Sequence, residues 1–357
     1  MKVLVLNGSP KASNSNTMKV TDAFLEGLTV DGEHSVEIVH IVEKTIGHCT
    51  GCYYCWTYTP GRCVLRDDMT EVLQSYLTAD LVIWSSPIHS FGISSLAKML
   101  LDRLLPVYLP IIEERRDDGA AHPFRFDLSY QKYLLIATCG FYAYENNVEA
   151  VHKQFDIMYG ESIDYIVCPE GDLFAVPQLR YRTKEYLSSA RQAGRDWAQY
   201  GKITESTREQ LRVKHYIPEE YMTMANMNWQ VFEKGTPRHE ILRRRIQVAM
   251  IQMKMVFEPE SLKATQAVME MRFDDDLYCC QFVMDENGCS IIEDENCYLP
   301  YHLRVITTFG LWEQISKKGM SILRGSMSQP SSRSDFHSLI SFVSALAERG
   351  HQKTLRL

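Results

Sequence analysis

Four cysteines lie close together near the start of the chain, in the run C-T-G-C-Y-Y-C-W-T-Y-T-P-G-R-C. They are Cys49, Cys52, Cys55 and Cys63. Cysteine is scarce in ordinary globular sequence, and thiolates at such short separations can converge on one metal centre. Compact sets of four cysteines suit iron–sulfur clusters or zinc. The spacing C-x2-C-x2-C-x7-C therefore makes a metal or thiol centre the first hypothesis.

Three alternatives remain open for these cysteines. A [4Fe–4S] cluster would couple two-electron chemistry to one-electron carriers. A structural zinc fits less well, because zinc sites usually pair two short knuckles separated by a longer loop. In the third alternative no metal binds, and the thiols carry redox equivalents or simply pack. The adjacent His48 is a further candidate ligand, although a surface histidine explains it as well.

A second candidate site lies upstream, where the apolar strand Val3–Leu6 runs into a loop rich in hydroxyl and amide side chains. Such groups at a helix N-terminus can surround an anion, and no acidic residue precedes Asp22 to repel one. The alternative is an ordinary capped loop, with Asn16 or Thr17 as the N-cap. The candidate phosphate ligands are Ser9, Ser15, Asn16 and Thr17, with Lys11 nearby.

Strand-like and helix-like runs alternate over residues 1 to 203 and must position these loops. Continuous apolar strands such as Leu81–Trp84 indicate a parallel sheet covered on both faces. We predict an α/β fold with a flavodoxin-like doubly wound sheet of order 2-1-3-4-5, whose ligand lies at the carboxyl ends of strands 1 and 3. The predicted strands are Lys2–Leu6, Ser35–Val42, Ala79–Ser85, Lys132–Thr138 and Ile163–Cys168.

Two more loops follow the third and fourth predicted strands. The stretch S-S-P-I-H-S-F-G offers proline, isoleucine and aromatic groups that could pack against an isoalloxazine edge, and T-C-G-F lies on the same side of the sheet. Three suitable loops at three strand ends are much less expected by chance than one. The candidate flavin-ring residues are Pro87, Ile88, His89, Phe91, Gly92, Cys139, Gly140 and Phe141.

The first 200 residues resemble the flavodoxin-like NAD(P)H-dependent FMN reductase family, and within it the branch of iron–sulfur flavoproteins. The matching stretches are G-S-P-K-x-S-N-S-N-T, C-T-G-C-Y-Y-C with C-V-L-R-D-D-M, S-P-I-H-S-F-G and K-M-L-L-D-R. The resemblance implies FMN held at its phosphate by residues 9–17 and at its ring by residues 87–92 and 139–141. It also implies NAD(P)H as co-substrate, a [4Fe–4S] cluster on the four cysteines, and a homodimer. His89 stands where the family usually has tyrosine, and it is the candidate catalytic residue.

After residue 203 the pattern changes to a helical linker over 204–235 and an α+β domain over 236–357. We predict an antiparallel meander followed by short helices around Tyr301–Ile306, Phe309–Ser316 and Asp335–Ala347. The segments V-I-T-T-F-G-L-W-E-Q-I and G-M-S-I-L-R-G resemble a sterol-carrier-type domain. That resemblance implies an apolar ligand and supplies no catalytic residue. The predicted strands of the meander are Thr265–Phe273, Leu277–Met284 and Cys289–Glu293.

Composition excludes several classes of function. A net charge of −7 over 357 residues argues against a nucleic-acid surface. No apolar stretch approaches the roughly 20 residues that a membrane span needs, and the N-terminus lacks the features of a signal peptide. We therefore expect a cytoplasmic protein whose ten cysteines are thiols or ligands rather than disulfides.

These patterns together predict an oxidoreductase that passes electrons from a reduced nicotinamide through FMN, with or without a cluster, to a small-molecule or protein acceptor. The alternative hypothesis is a flavin electron carrier, or a lipid-binding or sensor module without reductase turnover. A doubly wound sheet alone does not decide between them, because the fold hosts many functions.

Overall fold

The computed structural model describes residues 1–30, 32, 34–115, 117–176, 180–213, 216, 218–228, 234–274, 277–318 and 335–357. Within these residues the chain forms two compact units. The first covers Met1–Val176 and Thr183–Tyr216, and the second covers Pro177–Arg182 and Ile217–Leu357. The first unit thus continues past residue 203, where the sequence pattern changes.

The first unit is built on a parallel sheet. Its five long strands run in the order β2-β1-β3-β7-β8, and the short β4 pairs antiparallel with the end of β3. This order confirms the predicted 2-1-3-4-5 sheet, counted over the long strands. The strands of this unit are β1 (Lys2–Asn7), β2 (Ser35–His40), β3 (Leu81–His89), β4 (Gly92–Ile93), β5 (Glu113–Glu114), β6 (Ala120–Ala121), β7 (Lys132–Thr138) and β8 (Ile163–Cys168).

Helices cover both faces of this sheet, and each face has its own apolar core. Because successive strand residues point to opposite faces, Leu4 and Leu6 pack on one side while Val3 and Val5 pack on the other. The first core includes side chains of α2, α3 and α4, and the second includes those of α1, α5 and α6. The helices are α1 (Asn16–Leu28), α2 (Met69–Thr78), α3 (Ser95–Asp102), α4 (Glu149–Tyr159), α5 (Arg180–Tyr200) and α6 (Glu205–Leu211).

The second unit is α+β, with a five-stranded mixed sheet of order β11-β10-β9-β12-β13. Strands β9, β10 and β11 form the predicted antiparallel meander, while β12 runs parallel to both β9 and β13. The elements are α7 (Pro218–Asn228), α8 (Arg238–Met255), β9 (Gln266–Phe273), β10 (Tyr278–Asp285), β11 (Gly288–Glu293), β12 (Leu303–Thr307), α9 (Phe309–Lys318), α10 (Asp335–Glu348) and β13 (Lys353–Arg356).

One predicted helix of this unit is wrong. The segment Tyr301–Ile306 contains most of strand β12, in which Leu303, Val305 and Thr307 are buried and alternate with partly exposed neighbours. That period of two, with β-branched residues, is typical of a strand. The G-M-S-I-L-R-G segment, residues 319–325, lies outside the described residues, so the sterol-carrier resemblance and its apolar ligand stay predictions. None of the described helices is long and apolar enough to cross a bilayer.

Candidate functional site

The loop of residues 8–17 leaves β1 at the carboxyl edge of the sheet and packs against the start of α3. The Gly8 N–H donates to the Ser85 carbonyl oxygen at 2.8 Å, and the Ser94 hydroxyl donates to the Gly8 carbonyl oxygen at 2.6 Å. A Cβ on Gly8 would lie 2.7 Å from the Ala97 Cβ, so a larger residue cannot fit without displacing α3. The loop is therefore fixed to both β3 and α3.

A buried asparagine shapes the same loop. The Asn7 side chain accepts a hydrogen bond from the Ser9 N–H at 3.0 Å and donates to the Ala12 carbonyl oxygen, also at 3.0 Å. Its amide nitrogen also lies 2.8 Å from Nδ1 of His40, on β2. The sequence interpretation missed Asn7, although a polar residue that ends an apolar strand is the signal that marks it.

We expect Asn7→Ala to lower the free energy of unfolding by about 2 kcal/mol, because it leaves the buried Ser9 N–H without its acceptor and removes one of the two donors to the Ala12 carbonyl oxygen. Urea denaturation of the unliganded protein measures this loss. Asn14→Ala is the matched control, since Asn14 is exposed in the same loop and should change stability by less than about 0.5 kcal/mol. Equal losses in the two variants would show that Asn7 has no special role.

Helix α1 begins directly after the loop. Ser15 is its N-cap, and the Ser15 side chain accepts a hydrogen bond from the Met18 N–H at 3.0 Å. The sequence suggested Asn16 or Thr17 as the N-cap, so the observed cap lies one residue before the first of these. The Asn16 side chain donates to the Gly171 carbonyl oxygen at 2.9 Å. The buried Thr17 hydroxyl lies 2.7 Å from the Thr138 hydroxyl, at the end of β7. These side chains join α1 to the neighbouring strand ends.

Backbone N–H groups in the first turn of α1 remain available to bind a ligand. In the described part of the chain, the N–H groups of Asn16 and Thr17 have no protein acceptor. Unpaired amides at a helix N-terminus, together with the helix dipole, attract an anion. Of the other predicted phosphate ligands, Ser9 is buried and its hydroxyl accepts from the Lys11 N–H at 3.3 Å, while Lys11 is exposed.

The loop after β3 is a tight two-residue hairpin. The sequence pattern assigned Pro87, Ile88 and His89 to a loop, but strand β3 continues through them. It does so because β3 pairs with β7 as far as Pro87 and then with β4. The tip residues Ser90 and Phe91 have φ values of 49° and 64°. Such values suit a type I′ turn but are strained for a residue as large as phenylalanine. Backbone strain of this kind is characteristic of ligand-binding segments.

The loop after β7 meets this hairpin through two phenylalanines. The rings of Phe91 and Phe141 stack with centroids 5.5 Å apart and an interplanar angle of 13°, and both side chains are nearly half exposed. The hairpin and residues 139–141 thus form one aromatic surface, adjacent to the carboxyl edge of the sheet.

The other predicted ring residues divide into two groups. Ile88 and Cys139 are buried in the core, and burial raises the pKa of the Cys139 thiol. They support the loops from beneath. His89 and Gly140 are exposed, and Pro87 and Gly92 are partly exposed.

The four clustered cysteines line one pocket, called here the cysteine pocket. Cys49 and Cys52 are exposed, Cys63 is partly exposed and Cys55 is buried. Burial raises the pKa of the Cys55 thiol, and the other three thiols raise it further as neighbouring negative charges. The remaining lining residues are Thr50, Tyr53, Val64, Leu65, Asp102, Arg103, Leu105 and Pro106.

The donor set of the cysteine pocket is four thiols, which suit zinc or an iron–sulfur cluster. In the described part of the chain, no group of three or more histidine, cysteine, aspartate or glutamate side chains is arranged to hold one metal ion. A tetrahedral zinc needs its sulfurs about 3.8 Å apart, as its Zn–S bonds of about 2.3 Å dictate. A [4Fe–4S] cluster is also bound by four thiolates, but it is larger than one ion and needs its four sulfurs further apart than zinc does.

An ion pair at the wall of the cysteine pocket was not foreseen. Arg103 is 1% exposed, and its guanidinium donates to the two oxygens of Asp67 at 2.7 and 2.9 Å. This hydrogen-bonded arginine holds the pKa of Asp67 below its usual value. Asp67 also accepts a hydrogen bond from the Met69 N–H at 3.2 Å, at the start of α2. Arg103 is the last residue of the K-M-L-L-D-R stretch that carries the family resemblance. That stretch was the sequence signal that could have singled out Arg103.

The aromatic residues between the cysteines form a small packed group of their own. The Trp56 ring lies 5.2 Å from that of Tyr53 and 4.8 Å from that of His122, and its indole N–H donates to the Leu105 carbonyl oxygen. His48 is exposed, as expected for a surface histidine.

Comparison with known proteins places the first part of the chain. Residues 1–118 match the family model of NADPH-dependent FMN reductase. These residues contain the 8–17 loop, the four cysteines, the β3–β4 hairpin and Arg103. This part of the first unit is therefore similar to NADPH-dependent FMN reductases.

Curated relatives match the same part of the chain. An iron–sulfur flavoprotein of Archaeoglobus fulgidus is 40% identical over 106 residues, which cover 30% of this chain and 46% of that protein. An iron–sulfur flavoprotein of Methanocaldococcus jannaschii is 34% identical over 120 residues, or 34% of this chain and 60% of that protein. The chain thus spans about half the length of the curated relatives it matches. Among solved structures, an FMN-dependent NADH-azoreductase from Bacillus anthracis is 19% identical, with a TM-score of 0.42, over 56% of this chain and 100% of that one.

Proposed function

We propose that the protein is an FMN-dependent NAD(P)H oxidoreductase that passes electrons to a small-molecule or protein acceptor. The observation that carries the proposal is the pair of unpaired amides at the start of α1, beside two loops joined by stacked phenylalanines at one edge of the sheet. The match of residues 1–118 to the FMN reductase model supports it.

The first turn of α1 would hold the FMN phosphate. The Asn16 and Thr17 N–H groups donate to its oxygens, and the helix dipole favours its negative charge. Asn7 keeps the loop in shape, and Ser15 fixes where the helix begins. Lys11, exposed in the same loop, adds a positive charge to it.

The hairpin and the 139–141 loop would bind the flavin ring. Bound FMN supplies the exchange of a hydride with a nicotinamide and of electrons with an acceptor. The protein's part is to orient the ring and limit its contact with water, for which the Phe91–Phe141 surface is suited. His89, exposed at the end of β3, is the side chain we assign to proton transfer near the ring.

The cysteine pocket would hold a [4Fe–4S] cluster through Cys49, Cys52, Cys55 and Cys63. When bound, a cluster takes up and releases single electrons. The relatives named iron–sulfur flavoproteins support this proposal. The exposed Cys49 and Cys52 leave one side of the pocket open to a redox partner.

We expect Phe91→Gly to weaken FMN binding by about tenfold, because an aromatic contact contributes roughly 0.5–1.5 kcal/mol. Glycine also tolerates the positive φ of this position, so the thermal stability of the unliganded protein should not fall. Fluorescence titration of FMN measures the first effect and differential scanning calorimetry the second. Phe126→Gly is the control, since Phe126 is exposed but lies outside both loops. Unchanged FMN affinity in Phe91→Gly would exclude the hairpin from the ring site.

The proposed function is tested on protein purified without oxygen. Its absorption spectrum, its iron and zinc content, and its rates of NADH and NADPH oxidation with a quinone or ferricyanide should be measured on one sample. We expect bound flavin, about four irons per chain, and turnover that depends on FMN. A protein that binds no FMN when reconstituted would overturn the proposal. Zinc in place of iron would overturn the proposed cluster but not the proposed FMN-dependent oxidoreductase activity.

A further inference from the structure

The buried pair of Arg103 and Asp67 joins the two ends of the segment that carries the four cysteines. The Gly47 N–H donates to Asp67 Oδ2 at 2.9 Å, and the Gly47 carbonyl oxygen accepts from Arg103 at 2.7 Å. Gly47 comes two residues before Cys49, and Asp67 comes four residues after Cys63. Three hydrogen-bonding groups, on Gly47, Asp67 and Arg103, therefore close the base of a loop of residues 47–67.

The guanidinium also faces the thiols. Arg103 and Cys63 both line the cysteine pocket, together with the other three cysteines. Within the described residues, its buried Nε has no acceptor. A buried, unpartnered donor is costly, so the geometry leaves this N–H for a ligand or a thiolate in the pocket.

The charges of the pair have a further consequence. The positive charge of Arg103 and the negative charge of Asp67 cancel, so the pair places a dipole rather than a net charge beside the pocket. Arg103 is on the side of the thiols, because it and not Asp67 lines the pocket. An iron centre bound by four thiolates is negative, and it becomes more negative when it gains an electron. A positive group nearby therefore favours the reduced form, and a negative group opposes it.

We propose that Arg103, oriented by Asp67, is a positioning residue for the cysteine pocket. Arg103 holds the 47–67 loop closed, and it raises the reduction potential of the centre bound in the pocket. The second effect rests on the proposed iron centre, whereas the first does not. Neither role requires Arg103 to contact a substrate.

The experiment uses the full chain, purified without oxygen, with the variants Arg103→Gln, Asp67→Asn and the double variant. We expect the midpoint potential of the iron centre to be more negative than wild type in Arg103→Gln and more positive in Asp67→Asn, with the double variant between them. A redox titration followed by electron paramagnetic resonance measures these shifts. Lys132→Gln is the control, because Lys132 is an exposed cation at the start of β7 that does not line the cysteine pocket, and it should leave the potential near that of wild type.

A second readout needs no iron. Hydrogen exchange of the iron-free protein should be at least about tenfold faster over residues 47–67 in Arg103→Gln and Asp67→Asn, and unchanged in Lys132→Gln. If Arg103→Gln does not fold, Arg103→Lys replaces it. Lysine keeps the charge but lacks the bidentate geometry, so the loop should exchange faster while the potential stays near wild type.

Potential shifts of the same sign in Arg103→Gln and Asp67→Asn would overturn the electrostatic role. Unchanged exchange over residues 47–67 would overturn the positioning role. A wild-type protein that binds FMN but no iron would refute the proposed cluster, and the exchange measurement would still decide whether the pair closes the loop.

Discussion

The Cys55→Ala variant is expected to lose its iron and keep its flavin. Cys55 is the buried member of the four, and all three other thiols act on it electrostatically. Removing one of four thiolate ligands should reduce the iron content from about four per chain to less than about one. The flavin absorption should remain, because the 8–17 loop and the hairpin do not include Cys55. Metal analysis and the visible spectrum of anaerobically purified protein measure both.

The matched control is Cys289→Ala. Cys289 is a partly exposed cysteine of the second unit, so its removal changes the thiol count without touching the cysteine pocket. Full iron content in Cys55→Ala would show that the centre does not depend on this cysteine. Equal iron loss in both variants would point to general thiol damage rather than to a site.

The Asn16→Asp variant is expected to bind FMN about a hundredfold more weakly. Two unit charges about 5 Å apart repel by roughly 3 kcal/mol at an effective dielectric constant of 20, which corresponds to about two decades in Kd. The same carboxylate is favourable at a helix N-terminus. It therefore offsets part of the lost hydrogen bond to Gly171, and the unfolding free energy should change by no more than about 1 kcal/mol.

Riboflavin, which has the same ring and no phosphate, is the internal control for this variant. Isothermal titration should give a large loss of affinity for FMN and a small one for riboflavin. If both ligands lose affinity equally, the substitution has disturbed the loop as a whole. If FMN binds as in wild type, the phosphate lies elsewhere.

The cysteine pocket and the sheet order could be predicted because the signals are local. Cysteine spacing over residues 49–63 is a property of one short segment, and uninterrupted apolar runs such as Leu81–Trp84 indicate buried parallel strands without further context. The carboxyl edge of the sheet then brings separate loops together. The N-cap differed by one residue, since serine, asparagine and threonine can all serve as caps.

The parts that could not be predicted depend on contacts between distant residues. Asp67 and Arg103 are 36 positions apart, and nothing in either neighbourhood shows that they pair. Strand β3 extends to His89 only because β7 and β4 supply partners there. Strand β12 was mistaken for a helix for the same reason, since its pairing with β9 and β13 decides its conformation.

Helix α3 also sets the spacing between the two candidate sites. Its first turn contacts the 8–17 loop through Ser94 and Ala97, and Arg103, directly after its last residue, lines the cysteine pocket. Eight residues of helix are about 12 Å long, and each added residue turns the far end by about 100°. Inserting a single alanine into α3 would therefore leave the loop contacts in place and swing Arg103 away from the thiols. The length of this one helix therefore fixes the distance between the 8–17 loop and the side of the cysteine pocket that Arg103 lines.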